Sequence, residues 1–264
     1  MAFRQHCWNP YTGDQSLVDE KYFLYTFCEK QEAGTWRKLH VHNECYELTY
    51  VANGSIVVCT GAGNFLGQPH RAILIPPGLE HEWYMPESSF NRSLFLHPSL
   101  LAPLPRFRHY QSIEIDSLLR ALLLALNDLR VDLSHEEDRR LAVVFIDRLK
   151  KSREVGTPML MPSEHRLVEL CTAVLSSPEE NVNIQQWCDR IGMSPKTLSR
   201  LFVRQTGLTF GKWIQTMRLQ HAKNSLEGGE NVTVAAMNCG YSSVSAFISA
   251  FKKQYGVTPG GIRK

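Results

Sequence analysis

Four residues in the first third of the chain, His40, His42, Glu47 and His81, carry side chains that bind divalent metals or hydrogen-bond polar ligands. Three fall in Gly34-x5-His40-x-His42-x4-Glu47-x6-Gly54, and the fourth closes Pro76-x-Gly78-x2-His81. Two residues apart on one strand, His40 and His42 point the same way, while Glu47 and His81 come from neighbouring strands able to converge on them. Two or three imidazoles with one carboxylate suit a first-row divalent ion. The same set serves equally well, without metal, as hydrogen-bonding groups of a pocket for a small molecule, so both readings stay open. Trp36, Tyr46, Trp83 and Tyr84 are expected to supply the apolar lining of such a pocket. Ordinary core packing is the competing role for each.

These side chains need strands to hold them. Residues 22–27, 47–51, 55–59, 72–75 and 93–96 are short runs rich in β-branched and aromatic residues. They are punctuated by Asn53-Gly54, Gly61-Ala62-Gly63 and Pro76-Pro77-Gly78. Several short strands at close spacing predict a small sandwich or barrel over residues 1–98. Two helical patterns follow in residues 99–152, at 115–130 and 135–151. The first is a stripe of Leu118, Leu119, Leu122, Leu123 and Leu126, wider than one neighbour needs, which marks it as a packing surface and a dimer surface. Gly156, Pro158 and Pro162 mark residues 153–163 as a linker.

A second chemistry resides in residues 164–264, where one helical phrase occurs twice. Gly192-Met193-Ser194 precedes a helix from Pro195, and Gly240-Tyr241-Ser242-Ser243 precedes a helix from Val244. Aligned on Phe202 and Phe251, the copies match at Leu198/Phe247, Arg204/Lys253, Gly207/Gly256 and Thr209/Thr258. Glycine stops the preceding helix, serine caps the next, and Pro195 fits a first helical position. Leu198, Leu201 and Phe202 share one face and leave Lys196, Ser199, Arg200 and Arg204 on the other. Such a helix suits a DNA major groove; one copy alone would fit a plain helical bundle equally well, and the duplication favours DNA.

The phrase resembles the AraC/XylS family of bacterial transcription regulators. The likeness rests on Gly192-Met-Ser-Pro-x-Thr-Leu-Ser-Arg-Leu-Phe202, Thr206-Gly-Leu-Thr-Phe210, Arg218-Leu-x-x-Ala222, Gly240-Tyr-x-Ser-x-Ser-Ala-Phe-x-x-Ala-Phe-Lys252, Gly256-x-Thr-Pro259 and Arg263. It implies two recognition helices in successive major-groove segments, held at a fixed spacing by a helix over residues 210–226. DNA contacts are then expected from Lys196, Thr197, Ser199, Arg200 and Arg204 in the first unit. In the second they are expected from Ser243, Val244, Ser245, Ser249, Lys252 and Lys253. Ser249 stands where the first unit has Arg200, so the second helix should read sequence less sharply. The histidine motif resembles the cupin barrel, the effector-sensing domain that often precedes this DNA module. Its second half departs from the pattern at His70 and Met85, which replace a glycine and an asparagine. The implied fold is α+β in two domains, a cupin-like barrel followed by helices and then an all-α tandem helix-turn-helix.

Charge follows the same division: residues 164–264 hold 12 Lys/Arg against 7 Asp/Glu, and the rest of the chain 17 against 19. The basic excess sits where phosphate contacts are expected. Seven cysteines without paired spacing suit reduced thiols in the cytoplasm. No signal-peptide pattern or membrane-spanning apolar run occurs, so no membrane partner is expected. The expectation is a DNA-binding regulator, not an enzyme, that acts as a homodimer on double-stranded promoter DNA. Its barrel takes a small effector, with a divalent metal as the possible cofactor, and RNA polymerase is a partner if it activates. A metal-dependent cupin enzyme with an accessory helical domain, and a constitutive DNA-binding protein whose barrel only dimerises it, are the alternatives.

Overall fold

The computed structural model describes residues 24–101, 105–128, 135–153 and 159–262. The chain divides into two compact units, Met1–Ala62 with Gly67–Pro158, and Gly63–Leu66 with Met159–Lys264. Residues 22, 23, 102–104, 129, 130, 154–158 and Arg263, which figured in the expected strand, the 99–152 segment, its first helix, the linker and the family motif, lie outside the described residues.

In the first unit, β1 (Leu24–Gln31), β8 (Ser89–Leu96), β3 (Tyr46–Val51), β6 (Arg71–Ile75) and β9 (Gln111–Glu114) form one antiparallel sheet in that order. A second layer runs β4 (Ile56–Thr60), β7 (His81–Tyr84), β2 (Trp36–His40). The arrangement is two sheets, cupin-like, rather than a closed cylinder. The period of two assigns each side chain of the first sheet to a face. Tyr46, Leu48, Tyr50, Leu74, Leu94, Leu96 and Ile113 form one core with Leu119, Leu122, Leu123, Leu126, Phe145 and Leu149 of two helices, α1 (Ser117–Asp128) and α2 (Glu136–Lys151). Their neighbours Glu47, Thr49, Ile73, Ile75, Ser93 and Phe95 face the other way. Both faces of β3 are therefore buried, and all six of its residues are inaccessible.

The helix expected from residue 115 starts at Ser117 because Asp116 caps it, accepting from Leu119 N at 2.8 Å and pairing with Arg148. Acids in the first turn of α2 and basic residues in its last turn oppose the helix dipole favourably. Gly67, at the end of β5 (Gly63–Gly67), fits only as glycine: a Cβ there would lie 2.8 Å from the buried Ile56 Cγ2.

The second unit opens on an antiparallel pairing of β5 with β10 (Leu160–Met161), inside the stretch read as linker. Six helices follow: α3 (His165–Ser176), α4 (Ile184–Arg190), α5 (Pro195–Thr206), α6 (Phe210–Glu227), α7 (Val232–Asn238) and α8 (Val244–Tyr255). Every start carries a side-chain cap, from Glu164, Asn183, Ser194, Thr209, Asn231 and Ser243 in turn. The central α6 buries Phe210, Trp213, Met217, Leu219, Gln220, Ala222 and Leu226 around most of its circumference, because it packs on α5 at one end and on α7 and α8 at the other. Phe202, Phe210 and Trp213 fill the first contact, and Leu219, Leu226, Ala235, Phe247 and Phe251 the second. Trp213 Nε1 donates to Leu160 O at 3.0 Å, and Gln205 Oε1 accepts from Ser163 N and Glu164 N, which fixes the entry to α3. The six described cysteines are free thiols, and no described helix is long and apolar enough to cross a membrane.

Candidate functional site

Glu47 from the first sheet meets His81 from the second, with His81 Nε2 3.0 Å and His42 Nε2 3.2 Å from Glu47 Oε2. The other oxygen, Oε1, accepts from the hydroxyls of Thr49 and Ser93, each at 2.8 Å. Backbone carbonyls orient two rings: His40 Nδ1 lies 2.8 Å from Lys38 O, and His81 Nδ1 lies 3.1 Å from Leu79 O. Donating from Nδ1 turns each Nε2 toward the cluster. One ligand atom from each of His40, His42, Glu47 and His81 lies within 4.8 Å of all the others.

Simple alternation is not what aims these rings. Arg37 pairs with Trp83, but the next registered pair is His40 with His81, so a bulge between Arg37 and His40 rotates the end of β2. The bulge leaves Leu39 61% exposed and turns His40 inward. His42 lies past the strand in the following loop, and its ring sits 5.2 Å from that of His40 and 5.4 Å from that of His81.

Glu47 is fully buried. Burial pushes its pKa up, but hydrogen bonds from His42 and His81, with their charges, outweigh burial and hold the carboxyl well below the usual range. Burial pulls His81 down; the hydrogen bond and charge of Glu47 and the carbonyl of Leu79 reverse this and leave it raised. His40, opposed by burial and by the charge of His81, is pushed down to about 4. The arrangement thus favours a buried carboxylate facing one imidazolium. The donor set also fits a first-row divalent ion, since Nδ1 bonds to backbone carbonyls are the outer contacts that metal-binding imidazoles use.

Trp83, 2% exposed, lies on the inward face with His81. The other three aromatic residues expected in the pocket lie elsewhere. Tyr46 has the opposite parity to Glu47 and packs in the core shared with the helices. Trp36 is 56% exposed, stacked on Tyr84 at 5.3 Å on the outer face and donating to Glu82. Thr49 and Ser93 were not foreseen. Thr49 was open to inference from its two-residue spacing from Glu47, but Ser93 required the pairing register, Thr49 with Ser93, that no local pattern carries.

In the second unit, Lys196, Ser199, Arg200 and Arg204 are exposed on α5, and Thr197 is half-buried with its hydroxyl 2.9 Å from that of the cap Ser194. Leu198 and Phe202 are buried beneath them. On α8 the buried residues are Phe247 and Phe251, while Ser245, Ser249, Lys252 and Lys253 are exposed, as is the cap Ser243, and Val244 is half-buried. Ser243 caps Ala246 N and lies 2.8 Å from the Ser245 hydroxyl.

A helix-turn-helix domain model matches residues 187–264. The chain is 30% identical over 223 residues to the HTH-type transcriptional regulator NimR of Escherichia coli, covering 84% of this chain and 80% of NimR. Over 119 residues it is 28% identical to the HTH-type transcriptional regulator RipA of Corynebacterium glutamicum, covering 45% of this chain and 34% of RipA. Over 96 residues it is 33% identical to the bifunctional transcriptional activator/DNA repair enzyme Ada of Escherichia coli, covering 36% of this chain and 27% of Ada. With paired, capped helices presenting polar faces around a shared central helix, and a relative matched across most of both chains, this protein belongs to the AraC/XylS family of DNA-binding transcription regulators.

Proposed function

We propose that residues 1–98 sense a small effector, that residues 99–152 pack and dimerise the protein, and that residues 164–264, after a connecting stretch at 153–163, read a promoter. The exposed face of α5 carries this reading. Lys196, Ser199, Arg200 and Arg204 are exposed while Leu198 and Phe202 anchor the helix from behind, as insertion into a major groove requires. Thr197, Ser243, Val244, Ser245, Ser249, Lys252 and Lys253 complete the contact set. The protein acts in the cytoplasm as a regulator rather than an enzyme, with RNA polymerase as a further partner where it activates.

In the barrel, the effector meets His40, His42, Glu47, His81 and Trp83, and a divalent ion held by the first four is the cofactor that the donor set supports. When bound, such an ion supplies a Lewis-acidic anchor for an oxygen- or nitrogen-bearing ligand. The chain's own part is to aim Glu47 through Thr49 and Ser93, to orient His40 and His81 through backbone carbonyls, and to keep water out of the buried carboxylate. Homodimerisation is supported by apolar residues left about half exposed on the two helices, Leu118, Val143 and Val144.

The test is fluorescence anisotropy of the full chain on promoter fragments flanking its own gene against scrambled duplex, with and without added divalent ions. Preference for one fragment by at least a hundredfold is expected. Equal affinity for every duplex under all conditions refutes the proposal.

A further inference from the structure

Past the histidine cluster, the inward faces of the two sheets each carry a buried side chain with open polar atoms. β8 places Asn91 two residues from Ser93 and four from Phe95, directly across from Val51 of β3. By the period of two, Asn91 shares the inward face of Ser93, whose hydroxyl bonds Glu47. Asn91 is fully buried, and among the described residues neither its Oδ1 nor its Nδ2 has a hydrogen-bond partner. On the facing sheet, Trp83 lies two residues from His81, and its Nε1 likewise has no partner among the described residues.

Both residues depart from the histidine cluster in the same direction. The turn from Val51 to Ile56 joins the far ends of β3 and β4, and β4 carries Val58 across from Trp83 and Thr60 across from His81. Moving from His81 to Trp83 on one sheet therefore parallels moving from Glu47 to Val51 and Asn91 on the other. At about 3.4 Å per residue, Asn91 sits roughly 14 Å along the strand from the level of Glu47. Buried amides are almost always paired, so an amide with both ends open inside a barrel is the signature of a binding group.

We infer that Asn91, assisted by the indole N–H of Trp83, is the specificity element of the barrel, reading an effector that presents a hydrogen-bond acceptor beside a donor, as a lactam or primary carboxamide does. A carboxamide side chain offers one donor and one acceptor side by side, and its complement is another cis-amide edge, which closes two hydrogen bonds at once. A carboxylate meets only half of this demand and leaves Asn91 Oδ1 facing like charge. The inference rests on the reading of the barrel as an effector chamber and adds to it the chemical class that the chamber admits.

The experiment uses the full chain and its Asn91→Leu and Trp83→Phe variants, with 2-pyridone as the lactam probe and benzoate as the charged control of similar size. Thermal unfolding without probe and titration calorimetry with each probe are measured. Asn91→Leu keeps the volume and removes an unpaired amide, so its melting temperature should rise by several degrees; a structural asparagine would instead lower it. 2-Pyridone should bind wild type at least tenfold more tightly than benzoate, and at least tenfold more tightly than it binds Asn91→Leu, with a smaller loss in Trp83→Phe. A lowered melting temperature in Asn91→Leu, or equal binding of both probes to wild type and Asn91→Leu, overturns the inference. If the lactam preference holds but no barrel ligand alters DNA affinity, the regulatory reading fails while this assignment stands.

Discussion

Replacing Glu47 by glutamine removes one charge from a fully buried cluster and changes almost no volume. Glutamine Oε1 can still accept from Thr49 and Ser93, so the bonds now at 2.8 Å survive. What disappears is the negative partner of His81, whose Nε2 lies 3.0 Å from Glu47 Oε2. At pH 8 the cost is the lost charge-assisted bonding, about 1.5–3 kcal/mol. Acid should widen it. His81 is raised above 6.5 in the folded protein, so the stability it contributes is fully present below pH 6.5 and fades as pH rises through its folded value. In Glu47→Gln burial acts on His81 without that compensation, its folded pKa falls below 6.5, and the unfolded state takes up the extra proton instead. The gap between wild type and variant should therefore grow by about 1.4 kcal/mol per pH unit below 6.5. At about 2–4 °C per kcal/mol for chains of this size, a difference of roughly 3–12 °C at pH 8 should increase by at least a further 3–6 °C or so at pH 5.5. Circular dichroism melts in chelator at pH 8, 6.5 and 5.5 read it directly. A gap that is constant or shrinks toward acid refutes the assigned ion pair.

Further outcomes follow from the same geometry. Arg200→Ala should weaken specific binding by about 1–3 kcal/mol and relax discrimination at one base position, read by anisotropy across a set of single-base operator variants; unchanged discrimination would move the register of α5 on DNA. A divalent ion must displace the proton that Glu47 holds on His81, so zinc affinity should be lower at pH 6 than at pH 8, and calorimetry in buffers of different ionisation enthalpy should detect proton release; equal heats in both buffers would argue against these ligands. Gly192→Ala and Gly240→Ala should differ although both glycines have positive φ, 62° and 72°. Alanine at 192 meets nothing within 4 Å and should cost about 1–2 kcal/mol, whereas at 240 its Cβ would come 2.9 Å from Glu179 O, so the loss should be clearly larger in thermal melts.

The DNA module was legible because its determinants are local. Caps such as Ser194 and stops such as Gly207, at φ 73°, act within a few residues, and the apolar spacing of Leu198 and Phe202 names the buried face directly. The sensing unit was legible only in part. Its motif named the four cluster residues, since glycine and histidine spacing survives in one dimension. The faces of Trp36 and Tyr46 depend on which neighbour each strand meets. Tyr46 lies beside Glu47 in sequence yet packs on the helix side, and Trp36 lies beyond a bulge that shifts the register. Strands β2, β5, β7, β9 and β10 lack a strong local pattern; Gly63-Asn64-Phe65-Leu66-Gly67 reads as a turn, and its pairing with Leu160–Met161 spans nearly a hundred residues.

The helices α5 and α8 are built alike, but their exposed surfaces differ. On α5, Lys196, Arg200 and Arg204 are exposed cations, and one bidentate guanidinium contact to guanine is worth about 1–3 kcal/mol of discrimination. On α8 the cations Lys252 and Lys253 come only in the last turn, away from the N-terminal end that reaches base edges. At that N-terminal end Ser243 already caps Ala246 N and bonds Ser245, so two of the hydroxyls expected to read bases are partly committed to holding the helix. Ser249, where α5 has Arg200, offers a single short hydroxyl. Base discrimination should therefore concentrate in the half-site under α5, with α8 contributing chiefly backbone contacts and the fixed spacing that α6 imposes.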